Sequence, residues 1–438
     1  MNTDEKLQVK VLDQIVGTLT PSPKRPAHIF TYLPDAPETH FVSLTMPVRA
    51  QSYEWAEGLH PIFQMNLPEG AQKEILRERL GTAMPVDDFH LLALTGANGI
   101  GRVKVFPWGE ERTANSPPFD ISSVLTHRDS RAALLQAIDE LDIQQMSISG
   151  VMPKASLAPS SKLTVKTGDS ILKTGREDTP GIAINEFLCM ELARQMGLPV
   201  PDTEISSDGN VLAVRRFDRD VDGTPLGLED FCALLGLSPT DKYQASMEKV
   251  AASLKIWCAE SAIVSSSKRL IAMIVLNLVV RNADAHTKNY AMLYSSVNDA
   301  TLAPVYDVVT VNAYPKFAKS PFGLSIGGNK GWDLRKLLDR FCVERLNLPQ
   351  STVAEAVELA AAGMQRVVPE IERYALAFPH FREAGKRMLK LWEVGLHATA
   401  DRQTTSVLVD FSAPKLSEEH KARKVRNTMY TMNPRKIV

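Results

Sequence analysis

Cysteine is scarce in this 438-residue sequence: Cys189, Cys232, Cys258 and Cys342 are the only four, and no two form a C-x-x-C pair. Neither a disulfide framework nor a structural zinc site is expected, and the four read as small buried hydrophobes of a reducing compartment. Charge of one sign is missing too: 50 Lys and Arg face 51 Asp and Glu, a formal net charge of -1. That balance argues against a surface built throughout for nucleic acid or anionic membrane, while leaving room for a local patch. No apolar run approaches the roughly 20 residues that cross a bilayer. The densest, residues 271–280, carries Asn277 in its middle and reads as a core helix. At the N-terminus, Met1-Asn2-Thr3-Asp4-Glu5-Lys6 shows no cationic segment leading into an apolar one, so a cytoplasmic location without membrane contact is expected. H-E-x-x-H, G-x-S-x-G and a cysteine with a nearby histidine are also absent, which sets aside metalloprotease, esterase-type and thiol-nucleophile readings.

What remains has a globular balance, 44% hydrophobic and 23% charged, and enough length for two or three domains. Alternating apolar and polar residues over 7–19 predict a hairpin or meander, and 41–48 another extended segment. Residues 71–80 and 87–94 have helical patterns, followed by a strand over 103–106. Between them Gly96, Gly99 and Gly101 spell G-x-x-G-x-G, which reads as a helix-to-strand turn using positive φ rather than a phosphate loop. A Ser- and Pro-rich linker over 113–118 precedes a helix over 131–141. Short antiparallel strands are expected across 146–157, 163–165 and 170–173, a helix over 184–196 and a strand over 210–217. Beyond residue 225 the pattern is mainly helical, with only 289–294 and 302–309 extended. The expected class is α+β, divided into a β-rich N-terminal subdomain (1–125), a small mixed lobe (126–225) and a helical lobe (226–438).

The densest polar stretch is Arg281-Asn282-Ala283-Asp284-Ala285-His286-Thr287-Lys288-Asn289, directly after the apolar helix. Phosphoryl transfer explains such a run, because an Asp orients the attacking hydroxyl and accepts its proton while an Asn five residues later helps bind Mg²⁺. Asp284 and Asn289 have that spacing; a polar capping loop is the other reading. His286 is either a ligand or a hydrogen-bonding loop residue. Asp307 stands among apolar residues on an expected strand over 302–310, a costly position without a cation or donors. It suits a second metal ligand, or a strand-end carboxylate meeting a loop amide. On the strand 170–173, Lys173 shares a face with Ile171. Glu186 follows thirteen residues later on the next helix. A strand Lys held by a helix Glu is the kinase arrangement, against which stand a snorkelling lysine and a solvated glutamate. Upstream, Gly150 lies within Ser147-Ile148-Ser149-Gly150-Val151-Met152-Pro153-Lys154, a candidate phosphate loop or a plain β-turn. The tail 421–438 is basic without acids, suited to solvent, or to nucleic acid or an acidic partner.

In order, glycine loop, strand Lys, helix Glu, D-x-x-x-x-N and Asp resemble a protein kinase that lacks the usual signature words. The wording is similar to the HipA family, serine/threonine kinase toxins of bacterial toxin–antitoxin pairs. The likeness rests on Ser147 to Lys154, Ile171-Leu172-Lys173, Asn185-Glu186, Gly197-Leu198-Pro199-Val200-Pro201 and Val214-Arg215-Arg216-Phe217-Asp218-Arg219. Glu229-Asp230-Phe231-Cys232, Asn282 to Asn289 and Pro304-Val305-Tyr306-Asp307 extend it over nearly the whole chain. It implies a two-lobed protein-kinase-like fold, divergent and related in outline to lipid kinases, using ATP and Mg²⁺. By position it implies Asp284 as catalytic base, Asn289 and Asp307 as metal ligands, and Lys173, partnered by Glu186, as the phosphate-binding lysine. Ser149, Gly150, Val151, Met152, Pro153 and Lys154 would form the phosphate loop; Arg215, Arg216, Phe217, His286, Lys288 and Tyr306 would complete the nucleotide site. Ser147 matches a serine that family members autophosphorylate, expelling the loop, and a dianion placed there would oppose ATP by repulsion.

The resemblance also implies a helix-turn-helix antitoxin of the same operon, operator DNA reached through it, and growth arrest by phosphorylating a translation-related protein such as an aminoacyl-tRNA synthetase. Two departures stand out: Pro153 removes an N–H that could hold phosphate, and Arg215 replaces an acidic residue of some relatives. A non-enzymatic antitoxin-binding corepressor, or a kinase acting on a lipid or small molecule, are the competing readings.

Overall fold

A computed structural model describes residues 6–23, 27–68, 87–110, 120–140 and 163–400, with 409 and 411. β1 (Leu7–Val11) and β2 (Gln14–Pro21) form the expected hairpin, turned by Leu12 and Asp13 at φ of 50° and 66°. Two left-handed residues let a two-residue turn follow the strand twist. With β3 (His28–Tyr32), β4 (Tyr53–Trp55) and β5 (Val103–Pro107) the order is β4-β3-β2-β1-β5, all antiparallel. Val9, Leu19, Phe30 and Val105 face inward and pack with α1 (Pro61–Gln64) and α2 (Asp88–Thr95). The 96–101 turn uses a single left-handed glycine, Gly101 at φ 88°.

After α3 (Ile121–Thr126) and α4 (Ser130–Glu140) comes the second sheet, of β6 (Leu163–Lys166), β7 (Ser170–Thr174), β8 (Thr203–Ile205) and β9 (Val211–Arg215) in the order β6-β7-β9-β8. Between β7 and β8 runs α5 (Ile182–Gln195), which begins at Gly181, where a Cβ would lie 2.9 Å from Phe381. Gly197, at φ 75°, ends it with backbone bonds back to the last turn.

The third sheet, β10 (Gly227–Asp230), β11 (Ala291–Tyr294) and β12 (Thr301–Leu302), borders a helical lobe built from α6 (Phe231–Leu234), α7 (Met247–Trp257), α8 (Ile263–Val279), α9 (Arg335–Leu346), α10 (Ser351–Ala377) and α11 (Arg382–Thr399). Residues 260–279 have the length and hydropathy of a membrane span, but α8 is mostly buried against α7, α10 and α11. The approach is close enough that a Cβ at Gly395 would meet the Val279 carbonyl at 2.1 Å. Leu276, Val279, Met364 and Trp392 belong to one continuous core.

Two extended expectations fail. Residues 41–48 form no paired strand; Phe41, Val42, Leu44 and Met46 are buried in an irregular segment between the first sheet and the helical lobe. The Glu229 carboxylate accepts from Ser43 Oγ at 2.6 Å and Leu44 N at 2.7 Å, replacing strand partners. Of residues 302–309 only the first is in β12. The helix over 71–80, the linker over 113–118, the strands over 146–157 and the basic tail lie outside the described residues.

Candidate active site

Asn277, the polar break in the apolar helix, organises the loop that follows α8. Its amide donates to Met273 O at 2.8 Å, and its Oδ1 accepts from Asn282 Nδ2 at 2.7 Å. Arg281 stops the helix in a left-handed conformation, φ 56°, with its guanidinium 4.9 Å from the Trp332 ring. Asn282 Oδ1 then accepts from Asp284 N at 3.1 Å, so a chain of side-chain amides fixes the Asp284 backbone. Five residues past Asp284, Asn289 Oδ1 accepts from His286 N at 2.8 Å, closing the Thr287–Asn289 turn. His286 is buried, and that burial lowers its imidazole to about 4, so it stands neutral 4.0 Å from Asp284.

Asp307 arrives from the other direction. It lies on no strand, in contrast to expectation, but at φ 59°, a left-handed backbone that an aspartate adopts at some cost. The surrounding chain holds it there. Val305 N bonds Pro199 O at 2.8 Å, Asn185 Oδ1 accepts from Thr310 N at 2.9 Å, and Trp392 Nε1 donates to Thr310 Oγ1 at 2.8 Å. Asn289 Nδ2 reaches Asp307 Oδ2 at 3.1 Å. From β7, Lys173 Nζ donates to Asp307 Oδ1 at 3.0 Å and to Glu186 Oε1 of α5 at 2.6 Å. The Glu186 side chain is 1% exposed and that of Lys173 12%. On β7 it is Leu172 and Thr174 that face the core, so Ile171 and Lys173 share the half-buried cleft side.

The other expected residues divide. The Phe217 and Tyr306 rings touch, centroids 5.6 Å apart at 36°, and Tyr306 donates to Lys288 O at 2.8 Å. Burial pushes the Tyr306 phenol well up from its ordinary range, keeping it protonated. Lys288 Nζ turns to Met65 O, at 3.1 Å, and Asp230, at 4.0 Å. The Arg215 side chain is 72% exposed and lies 3.8 Å from Asp202, while Arg216 makes a two-point pair with Asp218 at 2.9 and 2.6 Å. Neither guanidinium joins the Lys173 cluster. Ser147 and the loop Ser149 to Lys154 lie outside the described residues. Sequence reasoning missed Tyr243, whose hydroxyl donates to Asp284 Oδ1 from 41 positions upstream. No spacing rule singles it out.

Residues 7–106 match the HipA N-terminal domain and residues 146–369 the HipA-like C-terminal domain. The chain belongs to the HipA family. Y4mE of Sinorhizobium fredii, named as a kinase, is 30% identical over 295 residues, 63% of this chain and 69% of that protein. The serine/threonine-protein kinase toxin HipA of Shewanella oneidensis is 27% identical over 290 residues, 58% of this chain and 64% of the toxin. A solved complex of Shewanella oneidensis MR-1 HipA with HipB and operator DNA has the same fold: TM-score 0.66 at 20% identity, covering 90% of this chain and 96% of that one. This HipA-family chain therefore has the two-lobed, kinase-like α+β architecture, and its charged cluster joins β7, α5 and the two segments carrying Asn289 and Asp307.

Proposed function

We propose that the chain is a serine/threonine protein kinase that transfers the γ-phosphate of ATP, with Mg²⁺, to a serine of a translation-related protein such as an aminoacyl-tRNA synthetase and to its own Ser147. Lys173 carries the reading: one half-buried strand lysine is held between Glu186 at 2.6 Å and Asp307 at 3.0 Å. A lysine held there between two carboxylates is placed for phosphate oxygens. Asp307 and Asn289 are adjacent, joined by the Asn289 amide N–H, and their side chains carry carboxylate and amide oxygens, donor types that fit Mg²⁺, which takes one or two protein groups and fills its shell with phosphate and water. Mg²⁺ bound with ATP neutralises phosphate charge. Asp284 takes the proton of the attacking hydroxyl as its oxygen bonds phosphorus and the bond to the departing ADP oxygen breaks. Phe217 and Tyr306 offer an aromatic edge to the adenine, and His286, neutral and buried, supports the loop.

In the same reading the chain divides near residues 125 and 225, works in the cytoplasm, and is the toxin partner of a helix-turn-helix antitoxin that carries it to operator DNA, its kinase activity arresting growth. The test starts from phosphatase-treated protein incubated with ATP and MgCl₂, followed by phosphopeptide mapping. Phosphate on Ser147 in the wild type and none in Asp284→Asn is the expected result. An unmodified wild type, or equal labelling in Asp284→Asn, rejects the proposal.

A further inference from the structure

We propose that Tyr243 is the positioning residue of the acceptor site, holding one oxygen of Asp284 so that the other faces the incoming hydroxyl. This rests on Asp284 being the base of the proposed kinase. The Tyr243 hydroxyl donates to Asp284 Oδ1, and among the described residues Asp284 Oδ2 accepts no hydrogen bond. The aspartate side chain is 19% exposed, so the carboxylate is not sealed from solvent. A base works only within about 2.6–3.2 Å of the proton it takes, and an Asp on a loop has two torsions free to swing it away. A phenol on one oxygen removes that freedom.

Tyr243 can do this because its own support is fixed. It sits in the turn after Pro239–Asp241, ahead of α7. Lys242 O accepts from Thr287 N at 3.2 Å and Thr287 Oγ1 at 2.9 Å, clamping the turn to the loop that carries Asp284. Lys330 Nζ donates to Tyr243 O at 2.8 Å from the opposite side. The ring packs edge-on against His286, centroids 5.0 Å apart at 78°, which sets the direction of the hydroxyl. With Oδ1 engaged by the phenol, an attacking hydroxyl meets the base through the other oxygen, in a position that freely tumbling water holds less well.

Full-length wild type and Tyr243→Phe are compared in single-turnover reactions with MgATP. Phosphate incorporated into the chain, inorganic phosphate released and half-saturating ATP are measured together. Loss of the phenol should lower incorporation about tenfold or more, raise the share of phosphate released to water, and leave half-saturating ATP unchanged. A parallel fall of both products means a structural role only, and unchanged incorporation means no role; either result overturns the proposal while the kinase reading stands. Phosphate found on Tyr243 itself also overturns it, since the hydroxyl would then be an acceptor. No transfer by wild type or variant removes this role and the kinase reading together. Thermal melting of Tyr243→Phe within a degree or so of wild type excludes misfolding as the cause.

Discussion

Lys173 shows what one residue does in this fold. Its ammonium is shared by two carboxylates, one of them almost wholly buried, and neither half of a buried pair is stable alone. Lys173→Met leaves Glu186 as an uncompensated buried charge. Urea unfolding should show a loss of about 3 kcal/mol, with phosphotransfer abolished. Lys173→Met combined with Glu186→Gln should be more stable than the single variant, because the orphaned charge is gone. Equal stability of the two would argue that the pair contributes no coupling. Both residues were legible from strand alternation and helix spacing. The left-handed backbone of Asp307 was not, because β-branched neighbours signal a strand and nothing local encodes φ 59°.

At the scale of an element, α8 is a buried apolar rod whose last turns carry the functional loop. Asn277 joins the two, giving its amide to Met273 O and Tyr290 Oη, at 2.8 and 3.3 Å, and receiving Asn282 at 2.7 Å. The sequence marked Asn277 as out of place but gave it no task, since its partner is five residues away across a helix terminus. Asn277→Leu would suit the apolar surroundings yet strand the Asn282 amide. A loss of about 2 kcal/mol in chemical denaturation is expected, together with a several-fold fall in phosphate transfer as the Asp284 backbone loses its tether. Full activity at reduced stability would show that the loop keeps its shape without Asn277.

Across the molecule, the N-terminal sheet is wired to the kinase lobes by buried charge. Gly101 N donates to Asp218 Oδ2 at 2.7 Å while Arg216 grips the same carboxylate. Arg102 reaches Phe41 O at 3.0 Å and Ser295 O at 2.8 Å. Burial alone would raise the Asp218 carboxyl, but the Arg216 hydrogen bonds and charge, with the Gly101 N–H, outweigh it and bring it to about 2. A folded value below the unfolded one means stability is present above pH about 4 and is lost as pH falls toward about 2, by about 2 kcal/mol. Asp218→Asn should flatten that part of the stability–pH curve and lower stability at pH 7 by a similar amount, measured by denaturant titration at each pH. A slope identical to wild type would assign the acid sensitivity to other carboxylates.

The sequence by itself pointed to kinase chemistry and marked several candidate residues for it. Asp284 and Asn289 sit on one short loop, and Lys173 and Glu186 on neighbouring elements, so short-range spacing and periodicity suffice to mark them. Local patterns also marked the antiparallel start of the chain and the helical character of its second half. Tertiary structure alone decided that Lys173 meets Asp307 across 134 positions, that Tyr243 holds Asp284, that Arg216 turns to Asp218, and that residues 41–48 pack without pairing. Those outcomes depend on which buried polar groups find partners once the core closes. That is a competition among residues far apart in the chain, and no local pattern records it.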